Sequence, residues 1–316
     1  MVALLGLLIA SAMVSAQNYP NKPIKLIVGF APAGAADYVA RAMSDQLGKA
    51  LGQSVVVENK AGAGSSIAAD FVAKAPADGY TILIASPSSM SVNPALNPKL
   101  AYAAKDFAPI AKITSSPLVI AASPKSGITS VKDLIAAAKR APGTLNYSSS
   151  GNGSAPHLGG ALFAQVAGID IQHVPFRGGA PAVASVIAGD TQLTFGTPPS
   201  VLPMVQAGRL RGLAVSTRER SALFPELPAM REAGLPDYAI EFWYGLFVPT
   251  NTPPAIVKKL FEATRTAMSQ ASVKAALARE GTDVALSSSP EQFAQFLAND
   301  AKFWTKLVKD ADVKQD

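Results

Sequence analysis

The strongest constraint on how this chain folds is an order that repeats along it: a short apolar run, a turn of small residues, then a helical pattern. Ile24–Val28 is apolar apart from Lys25, Gly29-Phe30-Ala31-Pro32-Ala33-Gly34 breaks it, and Asp37 opens a helical stretch to Leu51. The order recurs in residues 55–57, 62–66 and 67–75, with Thr81–Ala85 as the next strand. Strands alternating with helices of this length predict parallel βαβ units with right-handed crossovers. Residues 86–109 follow as a loop-like stretch carrying Pro87, Asn93-Pro94 and Asn97-Pro98, and long irregular segments in compact proteins are often functional.

A second group begins at residues 118–122, where Ser130 and Asp133 form a capping-box-like start for a helix ending near Arg140. The serine-rich turn 148–154 then precedes a helix with Pro156 in its first turn. Residues 171–174, the turn Phe176-Arg177-Gly178-Gly179 and a helix opened by Pro181 complete the unit. Further strands are expected at 193–195 and 213–215, an extended stretch at 239–248, and helices after Pro253-Pro254 and Ser289-Pro290. The 316 residues exceed what one core usually spans, about 250–300. The expectation is an α/β protein of two βαβ lobes joined by a two-strand hinge, lobe 1 being 17–118 plus 247–316 and lobe 2 being 119–246. One continuous doubly wound sheet is the alternative.

Ligands of open α/β sheets sit beyond the carboxyl ends of the strands. Three turns there, at 29–37, 148–157 and 176–181, combine small residues with a helix start, whose unpaired N–H groups and positive dipole end attract anions. Each also has a plain packing explanation. Together they favour a carboxylate or phosphate held mainly by backbone. Neither a phosphate-loop nor a complete dinucleotide motif occurs, so nucleotides are disfavoured. The 28 basic and 22 acidic residues are interspersed, which leaves no nucleic-acid footprint. Without cysteine and with only two histidines, thiol chemistry is excluded and no metal site is expected.

No catalytic residue is expected either. Gly-x-Ser-x-Gly and Ser-x-x-Lys are absent, and His157 beside Ser154 has no evident acid to orient it, so a structural or ligand-edge role is favoured. His173 is read as a satisfied core histidine and Asp37 as a cap or brace of its turn. Arg177 is read as a solvated or hinge-pairing arginine rather than a ligand clamp, and Phe242-Trp243-Tyr244 are packing aromatics or a stacking surface. Residues 2–14 are apolar and end at Val14-Ser15-Ala16, which predicts an export signal cleaved after Ala16, although no basic residue precedes the run. Beyond it no run reaches the ~18–20 apolar residues of a membrane span.

Several segments carry a family resemblance: Gly34-Ala-Ala-Asp37-x-x-Ala-Arg41, Val57-Glu58-Asn59-Lys60-x-Gly62-Ala63-Gly64, Asp78-Gly79-Tyr80-Thr81, Gly153-Ser154-x-x-His157-Leu158 and His173-Val174-Pro175-Phe176-Arg177-Gly178-Gly179. With Ala207-Gly208-Arg209-Leu210 and Glu232-Ala233-Gly234-Leu235-Pro236, the chain resembles the Bug family, periplasmic solute-binding receptors of tripartite tricarboxylate transporters. The resemblance implies a type II periplasmic-binding-protein fold that closes like a flytrap on a small organic carboxylate. It further implies a monomer, no cofactor or enzyme activity, and delivery of the solute to membrane permease subunits. It places the carboxylate against the first turn, from Phe30 through Ala33, Gly34, Ala35, Ala36 and Asp37, and against Ser148, Ser150, Gly151 and Ser154 near His157. Further contacts are implied from Ser86, Ser88 and Ser89, from Arg177, Gly178 and Gly179, and from Thr197. Ala35 and Ala36 replace hydroxyl residues frequent in relatives, and Gly196-Thr197 replaces an Asp or Asn, which favours an acid without an amino group, aromatic or dicarboxylic. A sensory receptor with the same binding mode, or a hydrolase on the same scaffold, stays open at this point.

Overall fold

The computed structural model describes residues 19–97 and 99–310; the expected export signal and its cleavage site lie outside them. In chain order the strands are β1 (Ile24–Val28), β2 (Val55–Asn59), β3 (Thr81–Ala85), β4 (Phe107–Pro117), β5 (Val119–Ala122), β6 (Asn146–Ser149), β7 (Gln172–Pro175), β8 (Leu193–Gly196), β9 (Arg211–Val215), β10 (Glu241–Pro249) and β11 (Asp283–Val284). They form two sheets, ordered β11-β4-β10-β3-β1-β2 and β7-β6-β8-β5-β9. In the first, β1 lies parallel between β2 and β3, and β10 runs antiparallel to β3 and β4. In the second, β6 is parallel to β7 and β8, and β5 is antiparallel to β8 and β9. The chain enters the second sheet between Pro117 and Val119 and returns between Val215 and Glu241.

The helices are α1 (Ala35–Leu51), α2 (Ser66–Ala73), the single turn α3 (Asn93–Leu96), α4 (Val131–Arg140), α5 (Ala155–Ala167), α6 (Gly179–Ala188), α7 (Pro198–Gln206), α8 (Pro254–Ser269), α9 (Ala271–Arg279) and α10 (Pro290–Asp310). β1 is covered on both faces, which suits its apolar run: Ile24, Leu26, Ile27 and Val28 have no exposure, and only Lys25 is exposed. In α1, Val39, Ala40, Met43, Leu47 and Leu51 recur every three or four residues and bury one stripe. Gly52 ends that helix in the left-handed region, its N–H returning to the last turn. At α4 the hydroxyl of Ser130 accepts the Asp133 N–H at 3.0 Å, as the capping pattern predicts.

Two segments differ from the sequence reading. Much of 86–109 is ordered: Ser88–Val92 is a buried π-helical turn that leads into α3, and β4 begins at Phe107. The strand was hidden because FAPIAKITSSP has no alternation and contains two prolines. Pairing along β10, from Pro249↔Phe107 to Glu241↔Pro117, stabilises it. Pro109 is tolerated because the two-residue β11 leaves that end of the outer side of β4 uncovered. The aromatics of β10 divide by parity: Trp243 packs on Phe293 and donates to Asp300 Oδ2 at 2.9 Å, while Phe242 meets Tyr244 and Trp304 on the other face.

Candidate functional site

At the carboxyl ends of β1, β6 and β8 lies a cavity of about 60 Å³ between the two sheets. A water needs roughly 10–15 Å³ of such space, so about five water-sized groups fit, the scale of a small metabolite. One wall is the turn from β1 into α1, with Phe30, Ala31, Pro32, Gly34, Ala35 and Ala36. The opposite wall comes from three turns of the second sheet: Ser149, Ser150, Ser154 and Ala155 before and in α5; Gly178 and Gly179 at α6; Gly196, Thr197 and Ser200 at α7. Phe242 and Tyr244 of β10 close it.

Four helices therefore start at one cavity. Each start carries a partial charge of about +0.5. The first N–H groups of α1, α5 and α6 have no partner within their own helices. In α7, Pro198 and Pro199 remove two donors, so that helix contributes dipole rather than hydrogen bonds. Among the described residues no Asp, Glu, Lys, Arg or His lines the cavity. A site of this kind attracts an anion with neutral donors and, among the described residues, offers an ammonium group no charged partner.

Asp37 is the acidic group nearest this wall in sequence, and its carboxylate is occupied elsewhere. Oδ2 accepts the Ala33 N–H at 3.0 Å and Arg41 Nε at 2.9 Å, and Oδ1 accepts Asn59 Nδ2 at 2.9 Å. Burial opposes its ionisation, but these donors outweigh it and hold the carboxyl below the ordinary range. The same bonds hold Ala33 at a φ of 62°, which aims the turn.

His157 is buried in α5 and its Nδ1 accepts the Gly153 N–H at 3.1 Å. Its ring stacks on His173 with centroids 3.7 Å apart and planes 2° apart. His173 Nε2 lies 2.6 Å from Ser149 Oγ, whose oxygen also accepts the Gly151 N–H at 3.1 Å. The pair thus braces the serine turn from behind. Burial, with His157 alongside, pushes the His173 imidazole down to about 3, so it is neutral.

The other expected residues are distributed around this frame. Phe30, Gly34, Ala35, Ala36, Ser150, Ser154, Gly178, Gly179 and Thr197 are in the walls, whereas Ala33, Asp37, Gly151 and His157 stand behind them. Ser148 turns its hydroxyl to the Ala182 carbonyl at 2.9 Å. Ser86, Ser88 and Ser89 are buried at the end of β3 and in the π-helical turn, away from the cavity walls. Arg177 is exposed beside the α6 turn and makes no ion pair among the described residues. Phe242 and Tyr244 lie in the wall where sequence offered only an aromatic cluster. Parity along the strand was the usable signal, since β10 alternates faces.

Two sheets with an anion-seeking cavity at their strand ends define a bilobal solute-binding receptor. More narrowly, the chain belongs to the tripartite tricarboxylate transporter receptor family, whose description matches residues 39–313. It is 35% identical to protein BugT of Bordetella pertussis over 99% of this chain and 98% of that protein. Among solved structures it is similar to Rpa4515 of R. palustris with adipate, at a TM-score of 0.89 and 32% identity over 94% of this chain and 99% of that one. MatC of Rhodopseudomonas palustris with bound malate gives 0.86 and 30% over 92% and 100%. The fold is the periplasmic-binding-protein fold that the motifs predict.

Proposed function

We propose that this protein is an exported receptor that closes two lobes on a small organic carboxylate and presents it to the permease subunits of a tripartite tricarboxylate-type transporter. The observation that carries this reading is the convergence of four helix starts from both sheets on one cavity without a charged side chain in its walls. Backbone donors compensate the carboxylate, and its burial strengthens their hold. Two related proteins bound to adipate and to malate support the solute class, and the family description supports the permease partner. The two sheets are the cores of the lobes, and the crossings from β4 to β5 and from β9 to β10 are the hinge. The solute is handed on unchanged in this reading, which the description of the family as transporter receptors supports. A thermal-shift screen of mono- and dicarboxylic acids tests the reading: an acid at 100 times its Kd adds about 2.7 kcal/mol of stability. If no acid raises the Tm while a sugar or an amine does, the proposal fails. Loss of uptake of the same acid on deleting the gene checks the transport role.

A further inference from the structure

The two crossings between the sheets lie side by side and meet on one side chain. In the first, Leu118 alone separates β4 from β5; in the second, Ile240 immediately precedes β10. Ser216, the residue after β9, stands between them without exposure. Its backbone N–H donates to the Leu118 carbonyl at 2.9 Å, and its carbonyl accepts the Ile240 N–H at 3.0 Å. Its hydroxyl makes the complementary pair, accepting the Leu118 N–H at 2.7 Å and donating to the Ile240 carbonyl at 2.5 Å. One serine therefore holds every backbone polar group of both crossing residues. A hydroxyl has one proton to give and lone pairs to receive, so it joins two strands where an apolar side chain would leave a buried N–H and a buried carbonyl unpaired.

The neighbouring residues decide which body carries this tie. β9 leads up to Ser216 from within the second sheet, where Val215 pairs with Val119. Tyr238, two residues before Ile240, donates to the Gly159 carbonyl at 3.2 Å and packs on Phe163 of α5 with ring centroids 5.5 Å apart. On the far side of the crossings, Glu241 already pairs with Pro117 in the first sheet. Leu118, Ser216 and Ile240 thus form the edge of the second body, one residue away from the first.

Resting on the two-lobe closure read above, we propose that Ser216 is the pin of the hinge: its hydroxyl keeps the two crossings at a fixed spacing while the lobes open and close, so that both turn about one axis at the links Pro117–Leu118 and Ile240–Glu241. Closure of this kind is absorbed by a few residues at the ends of elements. Two unpinned links would also permit a twist, which would carry the helix starts of the second sheet out of line with that of α1. Ser216 lies outside the cavity walls and acts as a positioning residue.

The chain has no cysteine, so spin labels on Lys49→Cys in α1 and Lys132→Cys in α4, both exposed, report the interlobe distance without background. In the ligand-free protein, Ser216→Ala broadens the distribution of that distance about twofold, because the crossings begin to turn independently. Ser185→Ala, which removes a buried hydroxyl bond to Thr191 inside the second body, leaves the distribution as in the labelled parent. The unsubstituted chain supplies a second measurement by hydrogen exchange: without ligand, the amides of Leu118, Ser216 and Ile240 are protected to within about tenfold of the β5–β9 ladder. Faster exchange at these three amides, equal broadening in both serine variants, or no broadening in Ser216→Ala overturns the pin and leaves the carboxylate receptor standing. Adipate or malate, whichever binds by calorimetry, shortens the distance in the labelled parent. A bound acid that leaves it unmoved overturns closure itself, and the pin with it.

Discussion

At the scale of single residues, the most consequential side chains are those that hold the turns from behind the cavity walls. Asp37 satisfies three donors around a turn whose Ala33 is held in the left-handed region. Asp37→Ala strands the Ala33 N–H and Asn59, and should cost about 1–3 kcal/mol in urea denaturation. It should also weaken acid binding about tenfold by calorimetry, because the turn loses its aim. His173 makes stability depend on pH. The unfolded imidazole gains its proton near 6.5 and the folded one only at about 3, so the unfolded state binds more protons in between. Stability is therefore complete above about 6.5 and declines as the pH falls towards about 3. A Tm series from pH 7.5 to 5 should show this slope, and His173→Gln should flatten it. Asp37 was legible as a brace because an acid in the first turn of a helix beside a glycine turn is a local pattern. The His157–His173 stack was not, since sixteen residues and a strand crossing separate the rings.

At the scale of elements, the glycine turns divide by backbone conformation. Gly151 and Gly178 sit at φ of 124° and 127°, so a side chain at either strains the backbone whatever space it finds. Substitution there tests folding as much as binding. Gly34 differs: its φ is −87°, and a Cβ would meet only the Ala31 carbonyl at 3.3 Å. Gly34→Val should keep the Tm within a few degrees and weaken acid binding tenfold or more, because the branch stands where α1 offers its first N–H groups. A large fall in Tm without ligand would contradict this. The strand–turn–helix units were readable because period and turn chemistry are local. β4 was not readable, since its two prolines and adjacent serines are acceptable only beside β10 and the short β11.

At the scale of the whole molecule, the two bodies touch around the cavity. A methyl on Gly178 would lie 3.7 Å from the Ala31 Cβ, and one on Gly64 would lie 2.9 Å from the Asn152 carbonyl. On the proposed closure, a solute favours the arrangement in which these surfaces touch only through tighter binding to it. Small-angle scattering should show the radius of gyration falling when a binding acid is added. Ala31→Trp, a wedge at the contact, should abolish that fall while leaving the unliganded Tm nearly unchanged; a fall as large as in the wild type would refute closure at this seam. The sequence by itself determined the α/β class, the repeated units and the anion-seeking turns, because hydrophobic period, small residues and helix starts act over a few positions. Tertiary structure alone decided that four helix starts share one cavity, that Phe242 and Tyr244 face it, and that Ser86, Ser88 and Ser89 do not. Those outcomes depend on which faces two separately formed sheets turn to each other, and no local stretch of chain encodes that.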